Sequence, residues 1–276
     1  MKLILSVALA LSFASSTGYA SPEEDLAEYR QFFKKRFPNL SQQDYADGVY
    51  AINPIARENW EAIEEFPPYE LAIEDGEELF NAPFKNGKTY ASCFKNGGLK
   101  IAQNYPYWDK ERQEVVTLAL AINECRVSNK EQPLPYKKGD IAAILAFMKD
   151  SSRGEKIQRT LTKEQPGAIA AYESGKAFYF KRRGQLNFAC AHCHMVYSGS
   201  NLRSETLSPT IGHATIWPTY RAKWGEMGTI HRRFQGCNKQ VRAKPLKAQS
   251  VAYRNLEFFL TYLSNDLEMN APSSRR

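Results

Sequence analysis

Beyond residue 20 the sequence has no apolar run long enough to cross a bilayer, which needs about 20 residues. Nor is there a basic tract with interleaved aromatics, as in a nucleic-acid groove. The net charge of +7 therefore points to an acidic partner protein or a small anion. Histidine is scarce, four in 276 residues, and cysteine little commoner. One close cysteine pair exists, Cys190 and Cys193, and no second Cys or His pair lies at short spacing, which argues against zinc. No βαβ pattern surrounds it, which argues against a thioredoxin-like redox pair. The cysteines are Cys93, Cys125, Cys190, Cys193 and Cys237, an odd set. At least one of them does something other than pair in a disulfide.

What is present begins with Lys2, an apolar run from Leu3 to Ala14, and the small-residue end Gly18-Tyr19-Ala20. This predicts a signal peptide over 1–20, cut between Ala20 and Ser21, in preference to an uncleaved anchor. The expected product is soluble and periplasmic, about 256 of the 276 residues, with a net charge of +6 once Lys2 is lost. A hydrophobic fraction of 43% suffices for one large core or two small ones.

Residues 21–68 read as an N-terminal helical arm, with a helix to about Lys35, a loop from Asn39 to Gly48 and a short helix from Ala56 to Glu64. From there the sequence repeats itself. Glu74-Asp75-Gly76-Glu77-Glu78-Leu79-Phe80 parallels Glu173-Ser174-Gly175-Lys176-Ala177-Phe178-Tyr179. Ile122-Asn123-Glu124-Cys125-Arg126 parallels Phe234-Gln235-Gly236-Cys237-Asn238, and Pro133-Leu134 and Pro245-Leu246 follow. Each half closes on a helix with one apolar face, Asp140 to Met148 and Val251 to Leu263. The pattern predicts a mainly α protein of two tandem helical domains, 69–155 and 156–276.

Cys190-Ala191-His192-Cys193-His194 is a Cys-x-x-Cys-His haem-attachment pattern. Two thiols on one turn meet the two vinyl groups of one haem, and the adjacent histidine reaches the iron. The halves are then two cytochrome c-like domains. In the first, Cys93-Phe94-Lys95-Asn96-Gly97 stands where the motif would be, so the second cysteine and the histidine are gone. One haem is expected, and the first domain carries none. Cys93 and Cys125 are left beside that vacated place, either joined as a disulfide or as two buried thiols. Candidates for the second axial ligand are Met227, with Met195 and Met269 poorly placed, and Cys237. Cys237 is favoured because arginines precede it, and nearby positive charge stabilises a thiolate.

Trp217-Pro218-Thr219-Tyr220-Arg221-Ala222-Lys223-Trp224-Gly225-Glu226, then His231-Arg232-Arg233-Phe234-Gln235-Gly236-Cys237-Asn238, and the closing Asn255 to Asn265 resemble the SoxA subunits of thiosulfate-oxidising cytochromes. The resemblance implies an enzyme that oxidatively joins thiosulfate to a cysteine of the carrier SoxYZ, with electrons leaving through haem to a small cytochrome SoxX. It implies axial ligands at His194 and Cys237, the latter as a persulfide, and an active-site arginine at Arg233. It also implies the single-haem branch of the family, with a Cys93–Cys125 disulfide in place of a second haem. Arg232 and Lys223 are candidate helpers at the anion, and Trp217, Tyr220 and Trp224 either shield haem or pack the core. The alternatives are a plain electron-transfer cytochrome and a thiosulfate dehydrogenase that forms tetrathionate.

Overall fold

The computed structural model describes residues 21–275. The signal-peptide expectation lies outside them. No helix among the described residues is long and apolar enough to cross a membrane.

The arm starts with α1 (Pro22–Arg36), closed by a reciprocal Ser21–Glu24 capping box, with acidic residues in its first turn and Lys34, Lys35 and Arg36 in its last. Both distributions complement the helix dipole. Its apolar stripe, Leu26, Tyr29 and Phe33, joins the core of the second half. The loop expected from Asn39 to Gly48 is partly helical, a 3-10 segment over Gln43–Ala51 interrupted at Gly48, whose φ is +62°. Asn53 then caps α2 (Pro54–Glu64), which buries no residue of its own.

Both halves are built alike. The first pairs α3 (Glu70–Asn81) with α5 (Asp140–Asp150), and the second pairs α6 (Pro166–Phe180) with α8 (Val251–Leu263). At each crossing a glycine lets the backbones touch. A Cβ on Gly76 would lie 2.1 Å from the carbonyl oxygen of Ala143, and one on Gly175 would lie 2.1 Å from that of Asn255. Each half also has a short antiparallel hairpin leading into a helix capped by threonine. In the first, β1 (Tyr107–Asp109) and β2 (Glu114–Val116) lead through Thr117 to α4 (Leu118–Ser128).

The second half has an additional hairpin, β3 (Asn201–Leu202) with β4 (Glu205–Thr206). Then β5 (Thr219–Arg221) and β6 (Glu226–Gly228) lead through Thr229 to α7 (Ile230–Gln240). The terminal strand β7 (Ser273–Arg275) pairs in parallel with β5, giving a sheet of order β6-β5-β7 that the helical periodicity did not announce.

The first half has its own core, in which Tyr90 stacks on Phe80 and meets Phe84 edge-on, with Ile122, Ile141, Ile144 and Met148 around them. Cys93 and Cys125 are joined by a disulfide there, with Cα atoms 5.8 Å apart. The turn of the broken motif is left-handed at Asn96 and Gly97, with φ of +51° and +60°. A third cluster, Tyr69, Ala142, Ala146 and Met227, joins the two halves.

Candidate active site

Cys190, Cys193, His194, Arg233 and Cys237 all line one cavity of about 730 Å³ in the second half. That is the size of a small-molecule or cofactor site, about 300–1,000 Å³. Its apolar walls include Tyr179, Ile216, Trp217, Phe234, Leu256 and Leu260. On one side it is closed by the arm, through Tyr50, Trp60 and Ile63, and by the β3–β4 hairpin.

His194 sits in a single π-helical turn, His192–Val196, directly after the two attachment thiols. Its Nδ1 lies 2.9 Å from the carbonyl oxygen of Ser208, and its own carbonyl accepts from Thr210 Oγ1 at 2.9 Å. A histidine whose Nδ1 is tied to a backbone carbonyl presents Nε2 as its ligating nitrogen. Ser208 Oγ in turn meets His213 Nε2 at 2.9 Å, and the His213 ring stands edge-on to His194 with centroids 4.5 Å apart. Burial holds His213 well below its ordinary pKa, with help from the neighbouring His194 and Arg233.

Arg233 and Cys237 are one helical turn apart on α7. Burial pushes the Cys237 thiol up, but Arg233, a hydrogen bond with His194 and the charge of Arg221 outweigh it and bring the pKa down to about 7. The two attachment thiols go the other way. Burial drives Cys190 to about 12 and raises Cys193 as well. The cavity thus combines two thiols at one edge, a histidine and a reactive sulfur within reach of one another, apolar walls and guanidinium groups. This set fits a covalently held haem, which Cys190 and Cys193 would attach and His194 and Cys237 would ligate.

Met227, the alternative ligand, is packed in the cluster between the halves, away from the cavity. Met269 is buried, with its backbone paired to residues 154 and 155. Arg232 is not an anion helper. It bonds Glu226 at 3.0 Å, lies 4.2 Å over the Trp224 ring, and does not line the cavity. Lys223 does not line it either. Trp217 forms part of the cavity wall, while Tyr220 packs between the halves and Trp224 against the second-half core.

Sequence reasoning missed Arg221 and Arg275, which line the cavity from β5 and β7. Arg221 donates to both carboxylate oxygens of Glu205 at 3.1 Å. Arg275 lies 4.3 Å over the Tyr50 ring and donates to the Asp47 carbonyl at 3.2 Å. Arg221 was in view within the Trp217 to Glu226 stretch, but nothing local marked it as facing Cys237.

A sequence model of the cytochrome c domain of SoxA and TsdA matches residues 75–157, the half without the attachment motif. The chain is 57% identical over 257 residues to an L-cysteine S-thiosulfotransferase subunit SoxA of Allochromatium vinosum, covering 93% of this chain and 91% of that one. It is 50% identical to the same subunit of Chlorobaculum thiosulfatiphilum, covering 92% and 88%. The crystal structure of SoxXA from P. pantotrophus superposes with a TM-score of 0.73 at 25% identity, covering 82% of this chain and 86% of that one.

Proposed function

The chain belongs to the SoxA family, and from that premise we propose that the cavity described above is where thiosulfate is joined to a carrier cysteine. It is a haem-dependent L-cysteine S-thiosulfotransferase subunit, the partner of a SoxX cytochrome, acting on thiosulfate and the carrier SoxYZ. In the reaction the carrier thiol gives up its proton, an S–S bond forms to the sulfane sulfur of thiosulfate, and two electrons leave. Bound haem supplies the one-electron steps that carry them out.

In this reading the chain carries one haem c, attached through Cys190 and Cys193. His194 and Cys237 are the residues that would hold its iron. Ser208, through its carbonyl, holds the His194 ring in orientation. Cys237 provides the chemically used sulfur, present as a persulfide when active. Arg233 and Arg221 bind the sulfonate end of the dianion by charge-assisted hydrogen bonds. Residues 156–276 form the haem domain and 69–155 its haem-less copy. Members of the family are periplasmic, and export of this chain ends in cleavage after Ala20.

The observation that carries the reading is the placing of Cys237 and Arg233 in the same cavity as the attachment motif. The test is Cys237→Met. Haem should stay attached, since attachment uses Cys190 and Cys193. The low-spin ferric spectrum should change and the potential should rise, because thioether donates less charge than thiolate. Carrier-dependent coupling should fall to near background, since methionine has no transferable sulfur. A wild-type spectrum with wild-type coupling would make Cys237 a bystander. A changed spectrum with coupling intact would leave it a ligand only. A pyridine haemochrome count of two per chain would sink the single-haem assignment.

A further inference from the structure

One part of the cavity wall is built from two touching segments, the loop 181–188 and residues 239–247, the end of α7 with the loop that follows it. The Leu186 N–H donates to the Val241 carbonyl at 3.3 Å. Gly184 lies so close that a Cβ there would stand 2.0 Å from the same oxygen. Arg183, Phe188, Gln240 and Val241 line the cavity from these segments. The outer surface of the segments is therefore the rim of the space that holds Cys237. No Asp or Glu occurs in residues 181–204 or 227–256. Lys181, Arg182, Lys239, Arg242, Lys244 and Lys247 are all exposed. Among them stand three exposed apolar side chains, Leu186, Phe188 and Leu246. The charge is divided between two sides of the cavity, since residues 58–78, which include its arm-side wall at Trp60 and Ile63, carry nine acidic side chains and no lysine or arginine.

We propose that this basic rim is the docking surface for the sulfur-carrier protein, which meets it through an acidic face. The proposal rests on the reading above that a carrier cysteine is the acceptor. A partner that must arrive and depart at every turnover gains from opposite charge, which speeds encounter and weakens readily with salt. A permanent subunit is held instead by a larger and more apolar contact. Cations around a small apolar patch suit the visitor. Position agrees, because the rim continues from the turn of α7 that carries Cys237. A protein seated there stands beside the cavity that Cys237 lines.

The experiment is a carrier titration of the haem-loaded complex of this chain with its small cytochrome partner. Wild type is compared with the triple variant Lys181→Glu, Lys244→Glu, Lys247→Glu, none of which lines the cavity. At low ionic strength the KM for carrier should rise about tenfold, and the difference should shrink at high salt. The kcat at saturating carrier, haem content and affinity for the small cytochrome should not change. The corresponding triple replacement by Gln should raise KM by a smaller factor. Leu186→Ser should raise it without salt dependence. An unchanged carrier KM in the charge-reversed variant overturns the proposal, and so does weakened binding of the small cytochrome with carrier KM intact. The wild-type coupling rate in the same titration reports on the functional reading itself, so the two fail separately.

Discussion

Three cysteines line one cavity, and their neighbours set what each sulfur can do. Burial raises the pKa of Cys190 and Cys193, whereas Arg233, His194 and Arg221 bring that of Cys237 down. Nucleophilic and ligating sulfur is thiolate sulfur. Arg233→Ala should therefore leave haem attached while lowering kcat/KM for thiosulfate by roughly 10–100-fold, the worth of one charge-assisted contact. Steady-state kinetics with thiosulfate varied at saturating carrier checks this, and an unchanged kcat/KM would remove Arg233 from the anion site. The sequence pointed to this residue through the family resemblance, and α7 does place it one helical turn before Cys237. Arg275 was hidden because its position depends on β7 pairing with β5, some fifty residues earlier, Thr219 opposite Ser273. His213 was hidden for a similar reason, since its link to His194 runs through Ser208 and has no linear spacing. Arg232, read from the sequence as a candidate helper to Arg233, points around the helix toward Glu226.

At the scale of elements the repeat was legible because its landmarks are functional constraints on packing. Gly76 and Gly175 stood out as parallel glycines, and each proves to be where two helices cross at backbone contact. Cys125 and Cys237 stood out as parallel cysteines, and each lies eight positions after its threonine cap, Thr117 or Thr229. Gly175→Ala forces α6 away from α8 and should cost about 1–3 kcal/mol, the usual toll of overpacking. Because α8 residues Leu256 and Leu260 line the cavity, that change should also disturb the haem spectrum. Gly76→Ala should cost a similar amount and leave the spectrum alone, since α3 and α5 line no part of it. Denaturant melts followed by haem absorbance and by circular dichroism distinguish the two, and equal spectral effects would contradict the separation of sites. In the same way, Cys93→Ala with Cys125→Ala should lower stability by about 2–4 kcal/mol, the typical worth of a disulfide. The haem spectrum should be unaffected, and a large spectral change would tie the first half to the site directly. The small strands had no sequence signal of comparable strength, being two or three residues long.

The molecule as a whole depends on the N-terminal arm, which is part of the site although it precedes both repeats. Helix and turn signals marked residues 21–68 as an N-terminal arm outside the two repeats, but Tyr50, Trp60 and Ile63 wall the cavity, and Gly212 is packed so tightly on Tyr45 that a Cβ there would meet the Tyr45 carbonyl at 1.9 Å. Among the ties that fasten the arm is an ion pair with a buried carboxylate. Asp25, 4% exposed, accepts from Lys176 Nζ at 2.6 and 2.7 Å and from the Tyr172 hydroxyl at 2.9 Å. Lys176 follows the Gly175 of the helix crossing, so the pair ties α1 to the frame of the second half. Removing one partner of such a pair leaves the other charge buried alone, at roughly 3–5 kcal/mol, while removing both can cost far less. Asp25→Ala should therefore destabilise the protein by about that much, and Asp25→Ala with Lys176→Met should recover most of it. Functionally, the single variant should open the cavity from the arm side, and proteolysis near residues 51–64 should quicken before global unfolding does. The double variant should restore protection. Single and double variants melting together would mean that the ion pair does not hold the arm, and the task would fall to the aromatic contacts of Tyr29 and Phe33 with the second-half core and to polar ties such as Arg30 to Asp266 and Arg36 to the Ser198 carbonyl.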